Sequence, residues 1–298
     1  MLANRRDLIL AVTVCAALPR SVHAEAADGK NHAFAALETK HGGRLGVAVL
    51  DSGATLIAGH RDDQRFPMCS TFKLLATAVV LHRVDLGQES LDRRVRFSEA
   101  DLVEYSPFAK TRASGQGATL GELCKAAMTL SDNTAANLLL QTFGGPAALT
   151  AFARSLGDPV TRLDRIETAM SEAAPGDPRD TTTPKAMARD VQALVLGEVL
   201  SAGSRRLLCD WLKANQTGDQ RLRAGFPSSW VVGDKTGSGN NGTTNDVAII
   251  WLENRKALIV AAYLTGCPAG PDERNGVLAE VGRLVASITS QPRGVGEG

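Results

Sequence analysis

Ser70 and Lys73 stand three residues apart in Ser70-Thr71-Phe72-Lys73, where the most apolar helical stretch of the chain begins. On a helix that spacing puts the hydroxyl and the amine on one face. A serine hydroxyl is a poor nucleophile until a neighbouring base takes its proton. A lysine desolvated by apolar neighbours has a lowered pKa and can act as that base. The helix N-terminus would also favour negative charge developing near Ser70. Taken alone, the pair reads better as a capping serine beside a surface lysine. Two other short segments invite the same caution. Ser131-Asp132-Asn133 follows a helical stretch ending near Leu130 and by itself reads as a helix N-cap. Lys235-Thr236-Gly237 closes an apolar strand and by itself is a common turn.

Together the three segments carry more weight, because they come in this order on a helix start, a loop between helices and a strand end. That set marks class A β-lactamases and penicillin-binding proteins. The chain resembles this superfamily, and the class A serine β-lactamases closely, from about residue 33 to 288. Tyr105-Ser106-Pro107, Arg162-Leu163-Asp164-Arg165-Ile166-Glu167 and Arg179-Asp180-Thr181-Thr182-Thr183-Pro184 extend the match. The resemblance implies hydrolysis of the β-lactam ring of penicillins and cephalosporins, an activity that confers antibiotic resistance. It implies Ser70 as the acylated nucleophile, with Lys73 and Glu167 sharing the base role, and Glu167 as the activator of the deacylating water. It gives Ser131 the proton for the leaving nitrogen, and Asn133 the substrate's side-chain amide. Lys235, Thr236 and Ser238 would hold the substrate carboxylate, and Tyr105 would wall the cleft. The backbone N–H groups of Ser70 and Ser238 would form an oxyanion hole, whose donors are worth about 3–4 kcal/mol each. An ion pair between Arg165 and Asp180 would pin the catalytic loop, about 162–180.

The chain also departs from the family pattern. Thr168 follows Glu167 where relatives commonly have Pro, and the peptide bond between them is expected to be cis. Ser171 stands where relatives commonly place an Asn as second ligand for the water; a hydroxyl is shorter but still hydrogen-bonds. Thr244 lies where many relatives carry an Arg for the carboxylate. Arg221, in Thr217-Gly218-Asp219-Gln220-Arg221, matches an alternative source of that Arg; the plainer reading is a solvated charge beside Arg223. The resemblance would pair Cys69 with the position held here by Gly239, and Cys124 with that held by Thr77, so neither family disulfide can form and none is expected.

The elements that must position these residues are legible in outline. Arg44–Leu50 alternates, Asp51-Ser52-Gly53 turns, and Thr55–Ala58 continues, which predicts a hairpin. Helices are expected at Ala33–Leu37, from Ser70 onward, at Leu120–Leu130, Asn133–Phe143, Pro146–Leu156, Pro184–Leu200 and Ser204–Lys213. Thr183 is placed to cap the Pro184 helix. Trp230–Gly233, Asp246–Leu252 and Ala257–Leu264 read as strands, and Pro271–Ser287 as a closing helix. Strands at both ends and helices between them predict an α/β fold of the α+β type. It has an antiparallel five-stranded sheet with flanking terminal helices, an inserted all-helical domain, and the site in the cleft between. The expected division is 25–62 with 217–298 for the α/β part and 63–216 for the helical part. Residues between Leu156 and Thr183 form a loop of a length that is usually functional or disordered.

Composition sets the outer bounds. The chain has 298 residues, 44% hydrophobic, 22% charged and 4% aromatic, with net charge +1. There is no basic stripe with interleaved aromatics, so nucleic acid is not an expected partner. Arg5 and Arg6, the apolar run Leu8–Leu18 and Val-His-Ala before residue 25 read as an export signal cleaved after Ala24. Sec and twin-arginine export fit equally, and the apolar run is too short to span a bilayer. A periplasmic monomer acting on small-molecule β-lactams is the expectation, with no cofactor and no metal. Gly237–Gly242 fits GxGxxG but precedes a strand, so it reads as a hairpin turn. No histidine lies near Ser131 or Lys235, which argues against a Ser-His-Asp triad. A D-Ala-D-Ala peptidase and a β-lactam sensor are the rival readings; the Glu167 segment speaks against the first, and the lack of a membrane span against the second.

Overall fold

The computed structural model describes residues 22–253 and 255–290. The export segment read over residues 1–24 therefore lies, up to residue 21, outside the described residues. In chain order the elements begin with α1 (Val22–His41), β1 (Arg44–Asp51), β2 (Leu56–His60) and β3 (Phe66–Pro67). A 3₁₀ turn, Cys69–Thr71, leads into α2 (Phe72–Asp85). Next come β4 (Arg94–Val95), β5 (Ala118–Thr119), α3 (Leu120–Thr129), α4 (Asn133–Phe143) and α5 (Gly145–Ser155). The chain continues with β6 (Thr181–Thr182), α6 (Pro184–Val195), α7 (Ala202–Lys213) and α8 (Leu222–Gly225). It closes with β7 (Val231–Gly239), β8 (Thr243–Trp251), β9 (Leu258–Thr265) and α9 (Pro271–Ser290).

The fold is the predicted mixed α/β one. A five-stranded antiparallel sheet runs in the order β2-β1-β9-β8-β7. It joins the first hairpin to the last three strands, as isolated hairpins are marginal and gain stability by pairing into a larger sheet. One apolar core lies between the sheet and α1, α8 and α9, with Phe34, Val47, Ile250 and Val281 all fully buried. A second, larger core joins the other sheet face, through Tyr263 and Ile259, to α2, α3, α4, α6 and α7. At the centre of that core, α2 is buried at every position from Phe72 to Leu81. A helix apolar all round belongs in an interior, and this one carries Lys73 inside with it.

Elements differ from the sequence expectation in several places, α1 being longer than Ala33–Leu37 and α8 and the two-residue strands β3 to β6 not having been predicted. β7 does not stop at Gly233 but runs to Gly239, each residue paired in register with β8 down to Gly239↔Thr243. Its last residues are small and polar, so apolar periodicity cannot mark them as strand. The turn is confined to Asn240–Gly242, with Asn241 and Gly242 at positive φ. The predicted Pro184–Leu200 helix ends at Val195. Its start is as read: the Thr183 side chain accepts from the Ala186 N–H, and Pro184 fills the first turn. Lastly, Ser70 sits in the 3₁₀ turn before α2 rather than in the helix itself.

Candidate active site

Ser70 is brought to the cleft by its turn, and the neighbouring strand fits tightly against it. A Cβ on Gly237 would stand 2.8 Å from the Met68 carbonyl oxygen, so only glycine lets β7 approach this closely. Asn245 on β8 donates Nδ2 to the carbonyls of Pro67 and Met68 at 2.9 and 3.1 Å, fixing the turn from behind.

Around Ser70 Oγ the polar groups converge. Lys73 Nζ donates to it at 2.8 Å, and the hydroxyl donates to Glu167 Oε1 at 3.0 Å. Lys73 Nζ also lies 3.2 Å from Glu167 Oε1, and donates to Asn133 Oδ1 at 2.5 Å and to the Ser131 carbonyl at 2.8 Å. Ser131 Oγ sits between two lysines, 3.3 Å from Lys73 Nζ and 3.0 Å from Lys235 Nζ. Both lysines are completely buried. Burial pushes the Lys73 amine below its ordinary value, against the pull of the Glu167 carboxylate. Lys235 is pushed well below, first by burial and then by the Lys73 charge.

Asp132 explains why the loop after α3 holds its shape. Its Oδ1 caps α4 by accepting from Ala135 N, and its Oδ2 accepts from Phe108 N and Ala109 N. Ser131 and Tyr105 both adopt positive φ, at 57° and 59°. Such a conformation costs energy in a non-glycine residue and persists where surroundings hold it. Tyr105 is 56% exposed beside the cleft, and its carbonyl accepts from Asn133 N.

Glu167 arrives on a loop with little regular structure. Asn137 on α4 grips its backbone, donating Nδ2 to Glu167 O and accepting from Glu167 N, both at 2.9 Å. The Glu167–Thr168 peptide bond is cis, as expected. Ser171 Oγ donates to Glu167 Oε2 at 3.0 Å, so the shorter side chain reaches the carboxylate. Asp180 pins the loop's base: its Oδ2 accepts from Arg165 Nε at 2.6 Å and its Oδ1 from the Asp164 and Arg165 N–H groups. The Asp180 carbonyl accepts from Met68 N, so the same residue ties the loop to the turn that carries Ser70.

The far end of the cleft is formed by β7. Thr236 Oγ1 shares a short hydrogen bond with Thr217 Oγ1. Arg221 is not a solvated charge: Nη1 donates to the carbonyls of Gly237 and Asn245, and Nη2 to Ser238 Oγ at 2.7 Å. Arg274 Nε donates to Thr244 Oγ1 at 3.1 Å. A Cβ on Gly239 would lie 2.6 Å from Cys69 Sγ, which confirms that these two positions face each other. Cys69, Cys124, Cys209 and Cys267 are free thiols. Thus every site residue named from sequence gathers in one place or on the loop beside it. Asn137 and Asn245 were not singled out, whereas Asp132 stood in the segment read as a helix N-cap, which it is, and Thr217 was named only as part of the Arg221 segment. For Asn137 a signal existed: it lies four residues after Asn133, on the same face of α4.

Comparison with known proteins gives the family. The Beta-lactamase enzyme family profile matches residues 31–288. The chain is 46% identical over 286 residues to the β-lactamase Toho-1 of Escherichia coli, covering 94% of this chain and 97% of that one. It is 50% identical over 252 residues to β-lactamase AST-1 of Nocardia asteroides, with 85% and 81% covered. Among solved structures, the putative class A β-lactamase PenP from Rhodopseudomonas palustris superposes with a TM-score of 0.85 at 59% identity, covering 87% of this chain and 99% of that one. An ancestral class A β-lactamase matches with the same TM-score and identity. The chain therefore belongs to the class A β-lactamases, serine hydrolases of the β-lactam ring.

Proposed function

We propose that Ser70 opens the β-lactam ring of penicillins and cephalosporins and that water delivered by Glu167 then frees the product. The observation that carries this reading is the position of Ser70 Oγ, 2.8 Å from Lys73 Nζ and 3.0 Å from Glu167 Oε1. In acylation, Oγ attacks the lactam carbonyl while its proton passes to the Lys73–Glu167 pair. Burial favours a neutral Lys73 able to take part. Negative charge on the carbonyl oxygen is met by the N–H groups of Ser70 and Ser238. As the C–N bond breaks, Ser131 gives its proton to the nitrogen and is resupplied by the adjoining lysines. In deacylation, Glu167 takes a proton from water held with Ser171; hydroxide attacks the ester, and Ser70 Oγ recovers a proton as it leaves.

Substrate binding falls to the rim of the cleft. Lys235, Thr236 and Ser238 take the carboxylate, and Arg221 supports them through Ser238. Asn133 takes the side-chain amide, and Tyr105 covers it. Arg165 and Asp180 keep the loop in reach. We place the enzyme in the periplasm as a monomer, exported by the segment cleaved after Ala24, with an α/β part (25–62 and 217–298) and a helical part (63–216). Among the described residues no helix is long and apolar enough to cross a membrane. Turnover of a chromogenic cephalosporin by the mature chain tests this, beside Ser70→Ala and Glu167→Ala. Sustained turnover that vanishes in the first variant and stalls as an acyl-enzyme in the second is the expected result. A single stoichiometric burst from the wild type would instead mark a penicillin-binding or sensor protein.

A further inference from the structure

Outside the active site, a second recess of about 470 Å³ opens where the first turn of α5 meets the root of the catalytic loop. Three guanidiniums line it, Arg65 from the segment before β3, Arg154 from α5 and Arg162 from the loop, against a single carboxylate, Asp164. Arg162 and Asp164 cancel, bonded Nε to Oδ2 at 2.9 Å and Nη2 to Oδ1 at 2.5 Å. Arg65 and Arg154 have no carboxylate within ion-pair distance among the described residues. Each directs Nη1 to neutral acceptors: Arg65 to Val160 O and Thr181 Oγ1, Arg154 to Asp158 O and Thr161 O. Both residues line the recess and are exposed. Ala147, in the first turn of the 11-residue α5, completes the wall. Positive partial charge at a helix N-terminus adds to that of the guanidiniums.

We propose that this recess is an anion site which takes a small, doubly charged oxyanion of the phosphate class. Two guanidiniums outside any direct ion pair, Arg154 feeling the Asp190 carboxyl only at longer range, favour a doubly charged anion, and the planar fork of arginine matches tetrahedral oxyanions. The bound anion would join α5 to the loop where Thr150 Oγ1 already bonds Leu163 N and O at 3.0 and 3.2 Å. It would thus brace the base of the segment that carries Glu167. A ligand that binds only the folded chain raises its stability with concentration.

Inorganic phosphate is the probe, titrated against the mature chain at constant ionic strength with sodium chloride as the exchanged salt. The expected result is a saturable rise in melting temperature. Ala147→Glu provides the decisive variant, because Ala147 is exposed and an acid in a first helical turn is well tolerated. Its carboxylate should occupy the recess, raise the melting temperature without phosphate, and abolish the phosphate response. Arg65→Gln should weaken the response with its own baseline as reference. No response in the wild type beyond that of chloride would overturn the proposal. So would a response that survives Ala147→Glu, which would place the anion elsewhere, such as the carboxylate end of the cleft. Neither reading depends on turnover, so failure here leaves the assignment of Ser70 and Glu167 untouched.

Discussion

Ser70 and Lys73 on one side, and Glu167 on the other, meet within about a hydrogen bond's length but are held by different means. The first two ride on a turn and a helix buried at every position from Cys69 to Leu81. Their positions come from close packing, spread over many weak contacts. Glu167 rides on a loop whose regular structure amounts to a single 3₁₀ turn, Ala169–Ser171. It is placed by countable polar bonds: two from Asn137, one from Ser171, and the Asp180 clasp at the base. Damage to the packed side should therefore lower stability as a whole, whereas damage to the loop should fall on the deacylation step.

The largest stability effect is expected from Leu75→Ala, since Leu75 is fully buried on α2. A cavity there should cost about 2–5 kcal/mol in denaturant unfolding. The ratio of deacylation to acylation in the surviving folded enzyme should stay near that of the wild type; a ratio that collapses would show that packing and loop are not separable. Arg165→Ala comes next. It leaves the Asp180 carboxylate, 1% exposed, without its charged partner. Removing one member of such a pair costs about 3 kcal/mol where burial is full, and less here because Arg165 keeps some exposure. Stopped-flow measurement should find deacylation slowed by more than acylation. Equal slowing of both would break the comparison.

How far the sequence showed all this follows the same division. Residues on strongly periodic elements were legible, because apolar spacing places them: α4 was read with its true bounds, Asn133–Phe143. The hairpin and the closing strands were legible for the same reason. Residues placed by long-range polar bonds were not. Asp132 joins α4 to Phe108 and Ala109, over 20 residues away, and nothing local announces that role. The apolar run of β7 was bounded at Gly233, with Lys235-Thr236-Gly237 placed at the strand's end, because Thr236, Gly237 and Ser238 carry no apolar pattern where the strand faces the cleft. The loop's Glu167 segment was legible only through its resemblance to the family; its bonds to Asn137 and Met68 come from the fold.

Ser171→Asn sharpens the contrast on a finer scale. Ser171 Oγ reaches Glu167 Oε2 at 3.0 Å, and its carbonyl accepts from Asn240 N. Asn would extend further and add a donor. Because only the loop side is touched, deacylation should change by up to about tenfold, the worth of one ordinary hydrogen bond, with acylation nearly constant. Pre-steady-state rates that shift equally in both steps would sink the idea that Ser171 acts through the water.

Asp190 tests the junction itself, because α6 there meets the root of the loop. Its side chain is 2% exposed, and Oδ2 has no hydrogen-bond partner. Burial first, and then the charge and hydrogen bond of Asp158, hold its carboxyl well above the ordinary value of 3.8, while Arg154 pulls the other way. Asp158 is itself engaged, accepting from Val160 N and Thr161 N. Two buried carboxyls in contact cannot both ionise cheaply, so the folded chain keeps the Asp190 proton. Below the unfolded value both states are protonated and nothing is lost. As pH rises above it, the unfolded chain ionises while the folded one does not, so stability falls with pH across the window up to the raised folded value. Asn at this position does not titrate and can still donate to Asp158. The melting temperature of Asp190→Asn should therefore match the wild type near pH 4 and exceed it increasingly toward neutrality. Parallel curves would mean that Asp190 is already ionised in the fold, with Arg154 rather than a shared proton holding the carboxylates together.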